Sequence, residues 1–379
     1  MVSRGRHDLC AQNQLSSFVS TGLSLSTLDE EPPILPIERT SMKLKIASAA
    51  VLAAFCGAAS AQVSVYGLID ASYGKSIDLD INGKKSEFHS GGDNGSSEGN
   101  STTRVGVKGS YDLGGGTKAN FRFETNGITS EGKVNDTFFK RAAWVGFSGN
   151  LGEVRLGRQT TVAFNTLIDY DLNGASNGVS AQAYSQVAQW IWRAGRDNGL
   201  LQYISPDMGG VTVRAGYLPQ GNRVTDASDL PKLGTPKDVL SLGLTYAKGP
   251  LSVSATFEGK RTTKGTDYSA VAASYDFGPV KLMASMDDGG KNKKGTTLGL
   301  SAPVAGATVG FITSRNSDTK GSGTEVFINK EIFKNTIAYA EFGSVNKAAV
   351  NSYVNTVTPG VAAPNKSASG SAVGVIFVF

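Results

Sequence analysis

Charged side chains alternate with apolar ones in two nearby stretches of this sequence. In the first stretch Arg104 and Lys108 alternate with valines, and in the second Arg122 and Glu124 alternate with phenylalanines. Alternation with a period of two is typical of β-strands, because successive side chains point to opposite faces. Each stretch therefore predicts a strand with one charged face and one apolar face. Rows of fixed charge act on ions and dipolar solutes by electrostatics, without covalent chemistry.

Covalent catalysis has little support in the sequence. A lipase-type or protease-type site needs an activated nucleophile, usually with histidine as its base. After residue 61 the chain has one histidine, His89, which lies in the glycine-rich stretch EFHSGGDNGSSEGNST. That composition is typical of a flexible external loop. We therefore expect no catalytic residues and no enzyme activity.

The first 61 residues contain a predicted export signal and a stretch that precedes it. Residues 42–61 combine a short basic start, an apolar stretch and the small-residue cleavage site ASA, which together predict a secretory signal peptide. Residues 1–41 would block the use of this signal, so we interpret them as an upstream extension from a wrongly assigned start codon. A cytosolic N-terminal extension is the alternative. Residues 62–379 are the predicted functional chain.

Charge and cysteine content argue against several kinds of partner. The formal net charge is +5 and the basic residues are dispersed, so we predict no nucleic-acid partner. Cys10 and Cys56 both precede residue 62, which leaves the functional chain without a thiol for a disulfide or a metal. We expect no metal site and no other cofactor.

Short turns and longer connections alternate along the chain after residue 62. Seven short turns, mostly with Gly or Pro, separate stretches of about ten alternating residues, and fifteen connections imply sixteen strands. A soluble β-sandwich is the alternative, but its turns need not alternate in length. We predict an all-β fold, a sixteen-stranded antiparallel transmembrane β-barrel. The longer connections lie near residues 78–100, 128–137, 161–197, 220–237, 261–266, 288–294, 315–322 and 346–368.

A closed barrel also explains the apolar end of the chain. The last residues, GSAVGVIFVF, predict a strand whose outer row ends at Phe379. Pairing of this strand with the first one, VSVYGLIDASYG, would leave no open edge. A basic residue on the lipid face near the midplane costs about 2–4 kcal/mol. Arg104, Lys108, Arg122 and Arg214 are therefore predicted to point into the lumen.

The third and longest connection, residues 161–197, is predicted to fold into the barrel. It is too apolar for an exposed external loop. The carboxylates of Asp169 and Asp171 would then lie across the lumen from the arginines, with Glu124 on the wall, and would create a transverse field. An ordinary loop cap is the alternative for the two aspartates. The apolar residues of this connection are Phe164, Leu167, Ile168, Trp190 and Trp192.

Several segments resemble the general porins of Gram-negative outer membranes. They are QVSVYGLIDASYG, TTRVGVKGSYDLGGGTKANFRFE, RAAWVGFSGNLGEVRLGRQ and DNGLLQYISPDMGGVTVRAGY, together with the terminal Phe379. The resemblance implies a sixteen-stranded homotrimer in which each barrel holds a water-filled pore narrowed by its third loop. The Pro-Glu-Phe-Gly type of turn that is usual in that loop is absent from this sequence.

The resemblance also implies roles for individual residues. Arg141 and Arg158 match arginines of the motifs R-x-A-x-V-G and L-G-R-Q, which the family places on the pore wall. Arg155 has the opposite strand parity to Arg158, so Arg158 is the preferred pore residue of the two. Phe379 matches the terminal phenylalanine that the barrel-assembly machinery recognises in that family.

The predicted function is an outer-membrane diffusion channel for small hydrophilic solutes and ions with a mild anion preference. Its expected surroundings are outer-membrane lipid and lipopolysaccharide, whose phosphates the stretch MDDGGKNKKG could contact. The alternative is a substrate-specific channel, which stacked aromatic residues such as Tyr170, Tyr184 and Trp190 would indicate. An outer-membrane enzyme and a surface adhesin or lectin-like module are further alternatives.

Overall fold

The computed structural model describes residues 62–379 except 80–82, 135–136, 193–194, 223–233, 358–361 and 363. The predicted signal peptide at 42–61 and the stretch 1–41 lie outside the described residues. No helix of the described part is long and apolar enough to cross a membrane.

The described residues form one antiparallel sheet of seventeen strands that closes on itself. Sixteen strands have 8 residues or more, and β2 has 4. The strands are β1 Gln62–Lys75, β2 Glu87–Ser90, β3 Arg104–Gly114, β4 Thr117–Glu124, β5 Ala142–Gly149, β6 Gly152–Thr160, β7 Arg196–Ile204, β8 Val211–Leu218, β9 Val239–Lys248, β10 Leu251–Glu258, β11 Tyr268–Asp276, β12 Lys281–Asp288, β13 Lys294–Val304, β14 Ala307–Asn316, β15 Ser322–Phe333, β16 Thr336–Val345 and β17 Ala368–Val378.

The first and last strands close the barrel. They pair from Leu68 opposite Val378 to Lys75 opposite Ser371. Beyond this ladder, the backbone of Phe379 exchanges two hydrogen bonds with Gly67, at N···O distances of 2.9 and 3.1 Å. Along its other edge β1 pairs with β3 over residues 62–68 and with the short β2 over residues 71–74. The predicted sixteen-stranded antiparallel barrel is confirmed.

Exposure alternates along the strands with the apolar residues on the outside. In β9, Leu240 is 65% exposed and Leu242 is 56% exposed, whereas the intervening Ser241 is 6% exposed. In a soluble protein the leucines would be the buried set. A surface of this kind is stable only where the surroundings are apolar, so the exposed rows mark a lipid-facing surface.

Short helices lie in the connections between strands. The stretch EFHSGGDNGSSEGNST, predicted as a flexible external loop, contains β2 and one of these helices instead. The third connection ends at residue 195 rather than 197, because β7 begins at Arg196. The helices are α1 Asp93–Ser96, α2 Val162–Leu167, α3 Ala181–Tyr184, α4 Gln189–Trp192 and α5 Lys347–Val357, with 3₁₀ turns at Ile168–Tyr170 and Gln220–Asn222.

The third connection, residues 161–195, packs on the buried, polar face of the strands. The Tyr170 hydroxyl lies 2.7 Å from Ser252 Oγ and donates to Ser254 Oγ at 3.0 Å, both on β10. Farther along, Ser185 Oγ lies 2.6 Å from Ser314 Oγ on β14. These strand residues have the opposite parity to the exposed apolar rows. The connection is therefore attached to the face that carries the polar side chains.

Candidate functional site

Six arginines line one open cavity of about 1040 Å³ between the strands, the third connection and other connecting segments. Lys84 and Lys140 line it as well, and Glu124 is the one carboxylate among the described lining residues. Of the five arginines predicted from sequence to face the lumen or the pore wall, all except Arg214 are among the six, so the fold brings four of them together. The six are Arg104, Arg122, Arg141, Arg155, Arg158 and Arg196.

Glu124 holds three of these arginines in place. Arg141 Nε donates to Glu124 Oε1 at 2.7 Å, and Arg104 Nε lies 3.9 Å from the same oxygen. Arg122 pairs with Glu124 Oε2, which also accepts a hydrogen bond of 2.8 Å from the Tyr66 hydroxyl. Because one carboxylate faces three guanidinium groups, this part of the wall keeps a net positive charge.

The strands explain this grouping. Gly106 of β3 lies opposite Glu124 of β4, and Glu124 in turn lies opposite Ala142, the first residue of β5. Arg104 and Arg141 therefore approach Glu124 from its two neighbouring strands. Cross-strand neighbours on one face lie within reach of long side chains. Arg122 and Glu124 lie two residues apart on β4, so their side chains point to the same face and are neighbours.

Arg155 and Arg158 both line the cavity, which corrects the prediction that only Arg158 faces it. The regular alternation of β6 ends at Gly157, whose φ is +135°. The register between β6 and β7 also shifts between Gly157 and Gln159. Such an irregularity redirects the following side chain. Arg158 then pairs with the backbone oxygen of Lys140 and donates to Asn198 Oδ1 at 2.5 Å.

Arg196 is a cavity residue that the sequence prediction missed. The prediction placed it inside the third connection, whereas it is the first residue of β7 and lies opposite Thr160. Its guanidinium carbon lies 5.7 Å from the centre of the Phe164 ring. Its Nε is buried without a hydrogen-bond partner among the described residues. A prediction that β7 begins at Arg196, one residue before Asp197, would have identified Arg196 as a strand residue that can face the lumen.

Asp169 and Asp171 do not line this cavity, so the predicted pair of facing carboxylates is not formed here. Asp171 is 3% exposed and accepts hydrogen bonds from Asn173 N at 3.1 Å and Ser180 Oγ at 3.0 Å. It caps its own loop, which was the alternative interpretation. Burial raises the pKa of Asp171 above its ordinary value. Asp169 is exposed and interacts electrostatically with Arg214 outside the cavity lining.

Other candidate residues are placed away from the arginines or in structural roles. Tyr170 and Trp190 are each 2% exposed and do not line the cavity, whereas Tyr184 does.

His89 lies between two carboxylates, with Nδ1 3.8 Å from Asp93 Oδ2 and Nε2 3.9 Å from Glu98 Oε2. Among the described residues, no group of His, Cys, Asp and Glu side chains has the geometry of a metal site.

Comparison with known proteins identifies close similarities. A family model described as Gram-negative porin matches residues 47–352. The chain is 34% identical over 286 residues to outer membrane porin protein 32 of Delftia acidovorans, covering 70% of this chain and 77% of that protein. It is 30% identical to an outer membrane porin protein of Bordetella pertussis, with coverage of 71% and 76%. The barrel is similar to the structure of an anion-selective porin from Comamonas acidovorans, with a TM-score of 0.64, 25% identity and coverage of 84% of this chain and 100% of that chain.

Proposed function

This chain belongs to the Gram-negative porin family and is an outer-membrane diffusion channel, and we propose that its pore passes small hydrophilic solutes with a preference for anions. The observation that carries the proposal is the charge of the cavity lining. Eight basic side chains and one carboxylate line it among the described residues. The anion-selective porin from Comamonas acidovorans, similar in fold, supports the same interpretation.

The mechanism is electrostatic. A row of guanidinium groups in a cavity with low-dielectric walls raises the local potential, because field lines concentrate in the water of the gap. Anions are enriched there and cations are depleted. Ions screen the effect over about 8 Å at physiological ionic strength, so the preference falls as salt rises. No transverse field from Asp169 and Asp171 is needed for this selectivity.

The third connection supplies the narrowing in this proposal. Residues 161–195 pack on the polar face of β8 to β16, and several of their side chains share the cavity with the arginines. We infer that the segment lies in the lumen and leaves its arginine-lined side as the path for solutes. Assembly as a homotrimer, contacts with lipopolysaccharide and recognition of Phe379 by the barrel-assembly machinery belong to the same proposal.

The proposal is tested by the reversal potential of the purified protein in a planar bilayer under a KCl gradient. We expect a reversal potential that favours chloride, and conductance steps in groups of three for a trimer. Arg196→Gln and Arg122→Ala should each shift the reversal potential towards potassium, because each removes a cation from the lining. A potassium preference in the unmodified protein would overturn the proposal.

Arg214→Gln is the matched control. Arg214 lies on β8, where its Nη1 donates to Thr245 Oγ1 at 3.5 Å, and it is not among the lining residues of the cavity. Its substitution changes the net charge by the same amount. We expect a smaller shift than for Arg196→Gln. Equal shifts would show that selectivity follows the total charge of the barrel rather than the cavity.

A further inference from the structure

The arginine-lined cavity also has an apolar lining. Phe164, Ile168, Ile191 and Tyr353 line it, and each remains partly exposed. Five of the six arginines lie on strands and Arg141 directly precedes β5, whereas these apolar side chains come from the third connection and from α5. Apolar side chains that keep part of their surface exposed in a polar cavity are informative, because contact of that surface with water is unfavourable.

Helix α2 shows how the apolar lining is positioned. Val162 and Leu167 are 0% and 2% exposed; Val162 lies against Gly216 of β8 and Gly243 of β9, and Leu167 lies in the buried apolar cluster. Phe164 and Ile168 are four residues apart and so share another face of this turn, which borders the cavity. The segment therefore needs the first pair for its attachment. The second pair packs only partly against the buried cluster around Leu167, and its remaining surface borders the cavity.

The other two apolar residues approach from different elements. Ile191 belongs to α4, and Tyr353 belongs to α5, which precedes the last strand. Ser352 on α5 donates to Gln186 Oε1 of the third connection at 3.0 Å, so the helix is linked to the same segment. Three separate elements thus contribute apolar side chains to one cavity.

Cationic and apolar groups lie side by side at two points of the lining, Arg155 with Trp144 and Arg196 with Phe164. The Arg196 guanidinium lies 5.7 Å from the centre of the Phe164 ring, and the Phe164 ring is held edge-to-face against Trp190 at 5.4 Å. An anion paired with Arg196 would therefore have an apolar surface beside it. A small inorganic anion uses only the charge of this arrangement.

We propose that the cavity is a binding site for monocarboxylates with an apolar body, such as medium-chain or aromatic carboxylates. The carboxylate pairs with the lining arginines, and the apolar body lies against Phe164, Ile168, Ile191 and Tyr353. This inference rests on the proposed anion preference and names the solute class that the same cavity retains longest. Charge supplies the attraction, and removal of apolar surface from water supplies the discrimination.

The test is block of single-channel chloride current by sodium acetate, butyrate and hexanoate at constant chloride concentration and pH 8. We expect the half-blocking concentration to fall about two- to fourfold for each added methylene group, because part of each group leaves water. Benzoate should block more strongly than acetate. Equal half-blocking concentrations across the series would overturn the inference.

Variants assign the chain-length dependence to the apolar lining. Ile168→Ser and Tyr353→Ser should each flatten the dependence, whereas Met208→Ser, which removes an exposed apolar side chain from the turn between β7 and β8, should leave it unchanged. Two separate sites keep the test valid if one variant does not fold. A dependence retained in both folded variants would contradict the assignment. A chloride preference without any dependence on the alkyl-chain length of the carboxylate would overturn this inference alone. A potassium preference would overturn the proposed function as well.

Discussion

At the scale of single residues, Gly157 decides where Arg158 points. Its φ of +135° is unfavourable for residues with a Cβ, and a Cβ at this position would overlap the carbonyl oxygen of Ala143 on β5. The irregular backbone at Gly157 lets Arg155 and Arg158 line one cavity. A regular strand would have placed them on opposite faces.

Gly157→Ala is therefore expected to destabilise the barrel by about 1–3 kcal/mol and to weaken its chloride preference. The backbone of β6 must change to remove the overlap, and Arg158 moves with it. The measurements are the temperature at which the folded form unfolds in SDS and the reversal potential under a KCl gradient. Gly221→Ala is the control, because a Cβ added at that exposed position would have no atom of a described residue within 4 Å. Equal stability of both variants would contradict the role of Gly157.

At the scale of elements, the third connection is fixed to the wall by polar contacts. Asn173 Nδ2 donates to Glu325 Oε1 at 2.7 Å and to Glu341 Oε2 at 2.9 Å, and Ala181 N donates to Glu325 Oε2 at 2.9 Å. These contacts reach two neighbouring strands, β15 and β16. When the buried polar groups of a loop and of the neighbouring strands all have hydrogen-bond partners in one another, any shift of the loop would break those bonds. The loop is therefore held in one position. The segment is thus a fixed part of the cavity wall.

A double cysteine variant tests this attachment. In Ser185→Cys with Ser314→Cys, we expect a disulfide on mild oxidation, because the two native Oγ atoms are already 2.6 Å apart. Conductance should stay unchanged after oxidation, since the bond fixes a contact that already exists. Electrophoretic mobility and single-channel current report the two results. The control pair Ser185→Cys with Ser254→Cys should not cross-link, because Ser254 contacts Tyr170 instead. A conductance drop on oxidation of the first pair would show that the segment normally lies elsewhere.

At the scale of the whole molecule, the end of the chain completes the barrel. The backbone of Phe379 extends the ladder between β1 and β17, and its ring lies over Gly67 and is 44% exposed. The backbone contacts do not require an aromatic side chain. Closure of the folded barrel and the proposed recognition of the terminal residue during assembly are therefore expected to be separable.

Phe379→Ala should lower the amount of folded barrel in the outer membrane severalfold, with little change in stability after refolding in detergent. The reason is that, in the proposed recognition by the barrel-assembly machinery, the ring is the recognised feature, whereas it makes only a small, half-exposed contact in the native state. Heat-modifiable protein in membrane fractions and the unfolding temperature of refolded protein measure the two effects. Phe342→Ala, which removes a ring of similar exposure from β16, is the control and should assemble normally. Normal assembly of the Phe379 variant would contradict the prediction that the barrel-assembly machinery recognises this residue.

The sequence by itself determined the architecture of this protein. Alternating residues such as Leu240, Ser241 and Leu242 place one row in lipid and one inside, and the alternation of short and long connections sets the number of strands. These features are local, with a period of two residues or a spacing along the chain. Arg104, Arg122 and Glu124 were predictable for the same reason, because parity within a regular strand assigns a face.

The detail of the cavity was decided only by the tertiary structure. The positive φ of Gly157 brings Arg155 and Arg158 together, the start of β7 brings Arg196 to the lining, and the fold of the third connection buries Asp171 and presents Phe164. None of these follows from a period of two, because each depends on a register shift or on contacts between residues far apart in the chain. Selectivity depends on side chains that are close in space but distant in sequence. The alternation of residues along a strand does not determine which of these side chains meet.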